Sequence, residues 1–154
     1  MGGYVACMST TVITRLINAR ASWVFSLATD LAGTRRFIPA IVRIERLDDA
    51  IRPVGLGTRW RETSKAMGKE AAVELWFSEF ERDCECTVAC ETFGCRFDTR
   101  FVLTEQGGRT KADVTVTITP MRFMGGLMSM LMKGDITKGI GKDLEAVALE
   151  TEKG

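Results

Sequence analysis

This 154-residue chain contains no histidine, which decides what chemistry its side chains can do. Without imidazole the commonest general base, the commonest metal ligand and any Ser–His or Cys–His nucleophile pair are gone. Proton work falls to carboxylates, Arg, Lys and the lone Tyr4. Glu62 is the carboxylate to follow. Strand parity turns it inward, in a row with Val73, Thr92 and Cys95, and a carboxylate facing an apolar interior is costly unless paired or protonated. Such a group either orients the polar end of a ligand or acts as an acid or base. The plainer alternative is a place near the sheet margin, where it reaches water or an Arg. Glu79, near the turn expected at Arg82-Asp83, is a weaker case of the same kind at the opposite end.

The five cysteines give a second candidate, because Cys84, Cys86, Cys90 and Cys95 follow one another closely. Same-face cysteines along a strand do not converge on one tetrahedral point, so a zinc site is not expected. An odd number argues against a disulfide framework, and small buried hydrophobes in a reducing compartment is the simpler reading. The basic residues Arg35, Arg36, Arg59, Arg61, Arg96 and Arg100 would make an anion-binding surface if unopposed. Glu74, Glu85, Glu91 and Asp98 interleave with them, which favours cross-strand pairs on a solvated face. With 21 basic against 20 acidic residues the net charge is +1, so no overall field attracts nucleic acid. No metal or other cofactor is expected.

These residues are positioned by the stretch from Thr58 to Thr119. With period two it divides into five strands joined by two-residue turns at Met67-Gly68, Arg82-Asp83, Phe93-Gly94 and Gly107-Gly108. Counting outward from the turns sets Trp60, Leu75, Cys90, Phe97 and Ile118 in one row. Thr58, Phe77, Val88, Thr99 and Val116 form the next, and Glu79, Cys86, Phe101 and Val114 the third. One face is thus mostly apolar and the other charged, and a slip in any hairpin would break the agreement. Such a sheet must bury its apolar face, and the segment from Phe123 to Glu152 is the one with enough apolar surface.

Before the meander, Thr11 to Asn18 reads as a strand and Ala21 to Ala28 as a helix. Asp30 can cap a second short helix through Thr34 to Phe37, which Pro39 stops. Ile41 to Leu47 is a further strand, Asp48 to Leu56 a loop, and Pro120 ends the sheet. The last segment opens with five methionines between Met121 and Met132, suited either to an adaptable cavity lid or to filling a slack core. Ile136, Ile140, Leu144, Val147 and Ala148 continue it as an amphipathic helix, with Gly134, Gly139 and Gly141 interrupting its stripe. Residues 1–9 show no periodic pattern and read as a flexible terminus, with Met8 an alternative start to Met1; residues 10–152 read as a single domain. No apolar run approaches a membrane span, no signal peptide is visible and the myristoylation pattern fails at Ala6, so a cytoplasmic location is the default.

The order strand, two short helices, six-strand meander and long C-terminal helix resembles the helix-grip fold. The wording also resembles the superfamily of polyketide cyclases/dehydrases, START lipid-transfer domains and birch-allergen-like proteins. INARASWVFSLATDLAGTRRFIPAIVRIERL carries the likeness at the start, followed by VGLGTRWRE, WFSEFERD, GGRTKADVTVTI and finally KDLEAVALE. Phe37 stands where that family often has Trp, and the start of the last helix is unusually rich in Gly and Met. The resemblance implies an α+β fold, a curved antiparallel sheet of about seven strands around the C-terminal helix. It also implies a deep apolar cavity between them, and no universal catalytic residue. A small apolar, lipid- or polyketide-like molecule is the expected partner, and a homodimer stays open. The residues placed to contact that molecule are Trp60, Glu62, Leu75, Phe77, Val88, Cys90, Phe97, Thr99, Phe101, Val116, Met128 and Met132. Two rivals remain: a cyclase or dehydratase using Glu62 as acid or base, and a partner-binding module whose cavity has collapsed.

Overall fold

The computed structural model describes residues 8–36, 38–66, 68–121, 138, 141–142 and 144–153. Seven antiparallel strands form one open sheet in the order β1-β7-β6-β5-β4-β3-β2. They are β1 (Ser9–Ile17), β2 (Ile41–Arg46), β3 (Arg59–Ala66), β4 (Lys69–Glu81), β5 (Glu85–Thr92), β6 (Cys95–Gln106) and β7 (Arg109–Pro120). Helices α1 (Ala21–Thr29) and α2 (Leu31–Thr34) link β1 to β2. Residues 144–153 are helical (α3) and bury Leu144, Val147, Ala148 and Thr151. This is the helix-grip fold.

Three of the four turns have the expected length. Gly107 and Gly108 take φ values of 59° and 80°, and Phe93 and Gly94 take 52° and 70°. Positive φ at both central residues gives the turn a twist matching that of the flanking strands. Asp30 also behaves as read, its Oδ1 accepting from the Gly33 N–H at 3.1 Å. The second helix, however, runs over Leu31–Thr34 rather than on to Phe37, which lies outside the described residues.

The β4–β5 connection departs from the sequence reading. Glu81 pairs with Glu85, so the turn has three residues, Arg82 to Cys84, and Asp83 adopts φ 62°. Alone, that extra residue would shift every pair behind it. A β-bulge at Ser78 absorbs it: Phe80 pairs with Cys86, Glu79 with Thr87 and Phe77 with Val88. From Phe77 to the far end of the meander the first two expected rows therefore hold, and the third holds from Cys86 through Phe101 to Val114. Glu79 is the casualty. It lies on the outer face, where it accepts from the Thr87 hydroxyl at 2.7 Å, and Phe80 takes the inward place instead. The expected inward Glu79 is thus corrected, for the physical reason that a bulge reverses strand parity.

The bulge lets Phe77 and Phe80 point to the same side of one strand. Trp60 meets Phe77 edge-on with centroids 5.1 Å apart, Phe77 meets Phe80 at 5.1 Å, and Phe80 meets Phe25 of α1 at 5.2 Å. This ladder ties two strands, β3 and β4, to the helical layer. Around it pack Ile17, Val24, Cys86, Val114, Leu144 and Ala148. Two polar contacts fix α1: Glu105 accepts from the Ala21 N–H at 3.2 Å, serving its first turn in place of a side-chain cap, and the Trp23 indole donates to the Thr151 carbonyl at 3.2 Å. Ser9 pairs with Ile118, so β1 begins one residue inside the terminus read as flexible; residues 1–7 lie outside the described residues.

Phe77 has no exposed surface and carries two rungs of the ladder, so Phe77→Ala should cost about 3–5 kcal/mol of unfolding free energy. Its neighbour Trp76 lies on the outer face between the guanidinium groups of Arg59 and Arg96, and Trp76→Ala should cost much less. Urea denaturation of both variants checks this; equal losses would contradict the assigned faces.

Candidate functional site

Away from the aromatic ladder the interior is not filled. A partly open cavity of about 410 Å³ lies between the sheet and the helices. The sheet contributes Glu62, Ser64, Leu75, Val88, Thr99 and Phe101. Ala28, Leu31, Thr34, Ile38, Ala40 and Ile41 contribute from the helices and the connection into β2, together with Leu144 and Val147 of α3. The cavity exists where the sequence puts small or short side chains (Ala28, Thr34, Ala40, Ser64, Val88, Thr99) opposite one another.

Glu62 is the carboxylate on this wall. Antiparallel pairing sets it between Ile44 of β2 and Val73 of β4. Ser64, two residues along the same strand face, donates from Oγ to Glu62 Oε1 at 3.0 Å. Burial pushes the Glu62 pKa above the ordinary carboxylate range, and the Ser64 hydrogen bond opposes this only in part. Glu62 is half-buried and, among the described residues, forms no ion pair with an Arg. Its partner is a serine hydroxyl on the pocket wall. The charge of Glu62 is felt by Cys90, whose thiol is pushed up to about 11, chiefly by burial. Cys86 is pushed up to about 12 for the same main reason, so both thiols are protonated and unreactive at neutral pH.

The structure divides the residues read from the sequence as ligand contacts. Glu62, Leu75, Val88, Thr99 and Phe101 line the cavity. Trp60 and Phe77 lie in the packed core beside it, 2% and 0% exposed. Phe97 and Val116 belong to a second apolar cluster with Cys95 and Ile118, against which Cys90 packs. Met128 and Met132 lie outside the described residues. Sequence reasoning missed the helical wall and Ser64. Ser64 had a signal, being two positions from Glu62 on one strand face. Leu31, Thr34 and Ile38 had none, because nothing local to a short helix says what it covers.

The outer face is an array of charge pairs. Arg100 pairs with Glu85, Arg61 with Glu74 and Arg96 with Asp98. Its shallow groove around Ser78, Glu79, Thr87 and Thr115 is walled by these paired groups. Among the described residues no group of His, Cys, Asp and Glu is arranged to hold a metal, and no helix is long and apolar enough to cross a membrane.

Comparison with solved structures shows the same fold at low sequence identity. The structure of Ara h 8.0201 matches with a TM-score of 0.80 at 16% identity, covering 96% of this chain and 100% of that one. The Zhui aromatase/cyclase from Streptomyces sp. R1128 matches with 0.77 at 16% identity, covering 96% and 95%. Norcoclaurine synthase from Thalictrum flavum, in complex with a transition-state analogue, matches with 0.77 at 12% identity, covering 98% of each chain. The structural neighbours are thus helix-grip proteins of the START-related kind, a START superfamily protein from Mycobacterium smegmatis among them. No family model and no curated protein matches the sequence.

The raised Glu62 pKa has a consequence for stability. The unfolded chain loses this proton at a lower pH than the native chain does. Between those two values the native state binds more protons, so this group makes stability fall as pH rises. Glu62→Gln keeps the shape and removes the titration. The variant should match wild type in acid and become the more stable of the two as pH rises to neutrality. Chemical denaturation of both from about pH 4 to about pH 8 checks this. A difference independent of pH would contradict it.

Proposed function

We propose that this protein binds a small apolar or amphipathic molecule, lipid- or polyketide-like in character, in the cavity between the sheet and the C-terminal helix. One observation carries the reading: a cavity of about 410 Å³, mostly apolar in its lining, holds the hydrogen-bonded pair Glu62 and Ser64 on its wall, the one carboxylate among its described lining residues. That is the composition of a small-molecule site, where apolar walls supply affinity and a few polar groups fix orientation. Apolar ligand surface removed from water contributes roughly 25 cal/mol per Å² before ordering costs are subtracted. Contacts come from Leu75, Val88, Thr99 and Phe101 on the sheet, and from Leu31, Ile41, Leu144 and Val147 opposite. An open cavity is also what a partner-binding module with a collapsed interior would lack.

A second reading is favoured by the Glu62 carboxyl. A carboxyl whose hold on its proton is strengthened by burial, within an apolar pocket, can donate or accept a proton, as a cyclase or dehydratase would need. The Zhui aromatase/cyclase has the same fold. Under that reading Glu62→Gln lowers turnover by roughly 10²-fold or more while binding survives. Under the binding reading Glu62→Gln leaves the affinity for an uncharged ligand nearly unchanged.

Titration with the uncharged fluorescent probe N-phenylnaphthylamine tests the site itself. We expect saturable binding at one site per chain. Leu75→Trp, which puts a large ring into the cavity, should weaken it about 10-fold or more with folding retained. Undiminished binding in Leu75→Trp would contradict the location.

A further inference from the structure

We propose that Glu62 makes the pocket selective for amphiphiles bearing a cationic amine, and that it rejects those ending in a carboxylate. This deepens the ligand-binding reading above and rests on it. The argument comes from what surrounds Glu62. It is a wall residue of the cavity and has one hydrogen-bond partner among the described residues, the Ser64 hydroxyl at 3.0 Å. It takes part in none of the ion pairs formed by the described residues, although nine arginines do. Those arginines are spent on other carboxylates, mostly on the solvated face.

Among the described residues, the elements packed around Glu62 bring no compensating charge. Its neighbours in register, on β2 and β4, are Ile44 and Val73. From β5 the titratable group that feels the Glu62 charge is the Cys90 thiol, pushed up to about 11 chiefly by burial and so neutral at physiological pH. The helical side presents Leu31, Thr34, Leu144 and Val147. No Arg or Lys lines the cavity among the described residues. A carboxylate in such a place is destabilised until a counter-charge or a strong donor arrives. A ligand ammonium supplies both, while a ligand carboxylate would put two like charges in one low-dielectric cavity. The selection is therefore partly by repulsion, the form of specificity that apolar walls cannot provide.

Three ligands of equal chain length test this: decylamine, decanol and decanoate, each below its aggregation concentration, displacing N-phenylnaphthylamine. At neutral pH we expect decylamine to bind about 10-fold or more tighter than decanoate, with decanol between them. In Glu62→Gln the three should fall within about a factor of two or three of one another. In wild type the preference for decylamine over decanol should shrink as acid protonates Glu62, a readout that survives if the variant folds poorly. Equal binding of amine and acid, or an amine-to-alcohol ratio unaffected by pH, would overturn the selectivity while decanol binding still supports the pocket. Failure of all three to displace the probe would overturn the pocket reading and this inference together.

Discussion

The structure depends on an aromatic ladder that a single backbone irregularity makes possible. Trp60, Phe77, Phe80 and Phe25 stack edge to face from β3 through β4 to α1. In a regular strand, Phe77 and Phe80 would point to opposite faces. The bulge at Ser78 brings both inside, so a run of large side chains joins sheet to helix over one part of the interior. Large rings packed there leave shorter side chains to line the rest. The cavity opens beside the ladder, with Leu75, Val88, Thr99 and Phe101 as its wall on the sheet. Ladder and cavity thus share one inner face of the sheet.

Register was legible in the sequence because each hairpin carries its own evidence. Gly107-Gly108 and Phe93-Gly94 mark their turns, and alternation on both sides of each turn checks the count. The β4–β5 hairpin shows why such counting has a limit. Its turn is longer by one residue and its strand holds one residue extra, so the two departures cancel beyond Phe77. Only Glu79 and Phe80, which lie between turn and bulge, reveal them. Glu79 is acidic and Phe80 apolar, so the local pattern already favoured the observed faces over the expected ones. A two-residue turn at Arg82-Asp83 simply outweighed it.

The site was legible in half. The sheet wall follows from parity, which sets Glu62, Leu75, Val88, Thr99 and Phe101 on the inner face. Parity says which face a residue takes; it does not say whether that face meets a cavity or a packed core. Trp60 and Phe77 share the inner face with Leu75 and Val88, yet the ladder engages the first two and leaves the others on the cavity wall. The opposite wall is tertiary in origin. Ile38 and Ala40 sit in the connection between α2 and β2, and only the closing of the sheet around the helices brings them to Glu62.

The central claim is that a small apolar molecule occupies the cavity walled by Glu62. The most direct measurement is a methyl-resolved NMR titration of the protein with decanol. The account predicts saturable shifts concentrated on Ile41, Leu75, Val88, Leu144 and Val147, with the outer-face methyls of Val12 and Leu16 unmoved. Shifts scattered over both faces without saturation, or confined to Val12 and Leu16, would contradict it.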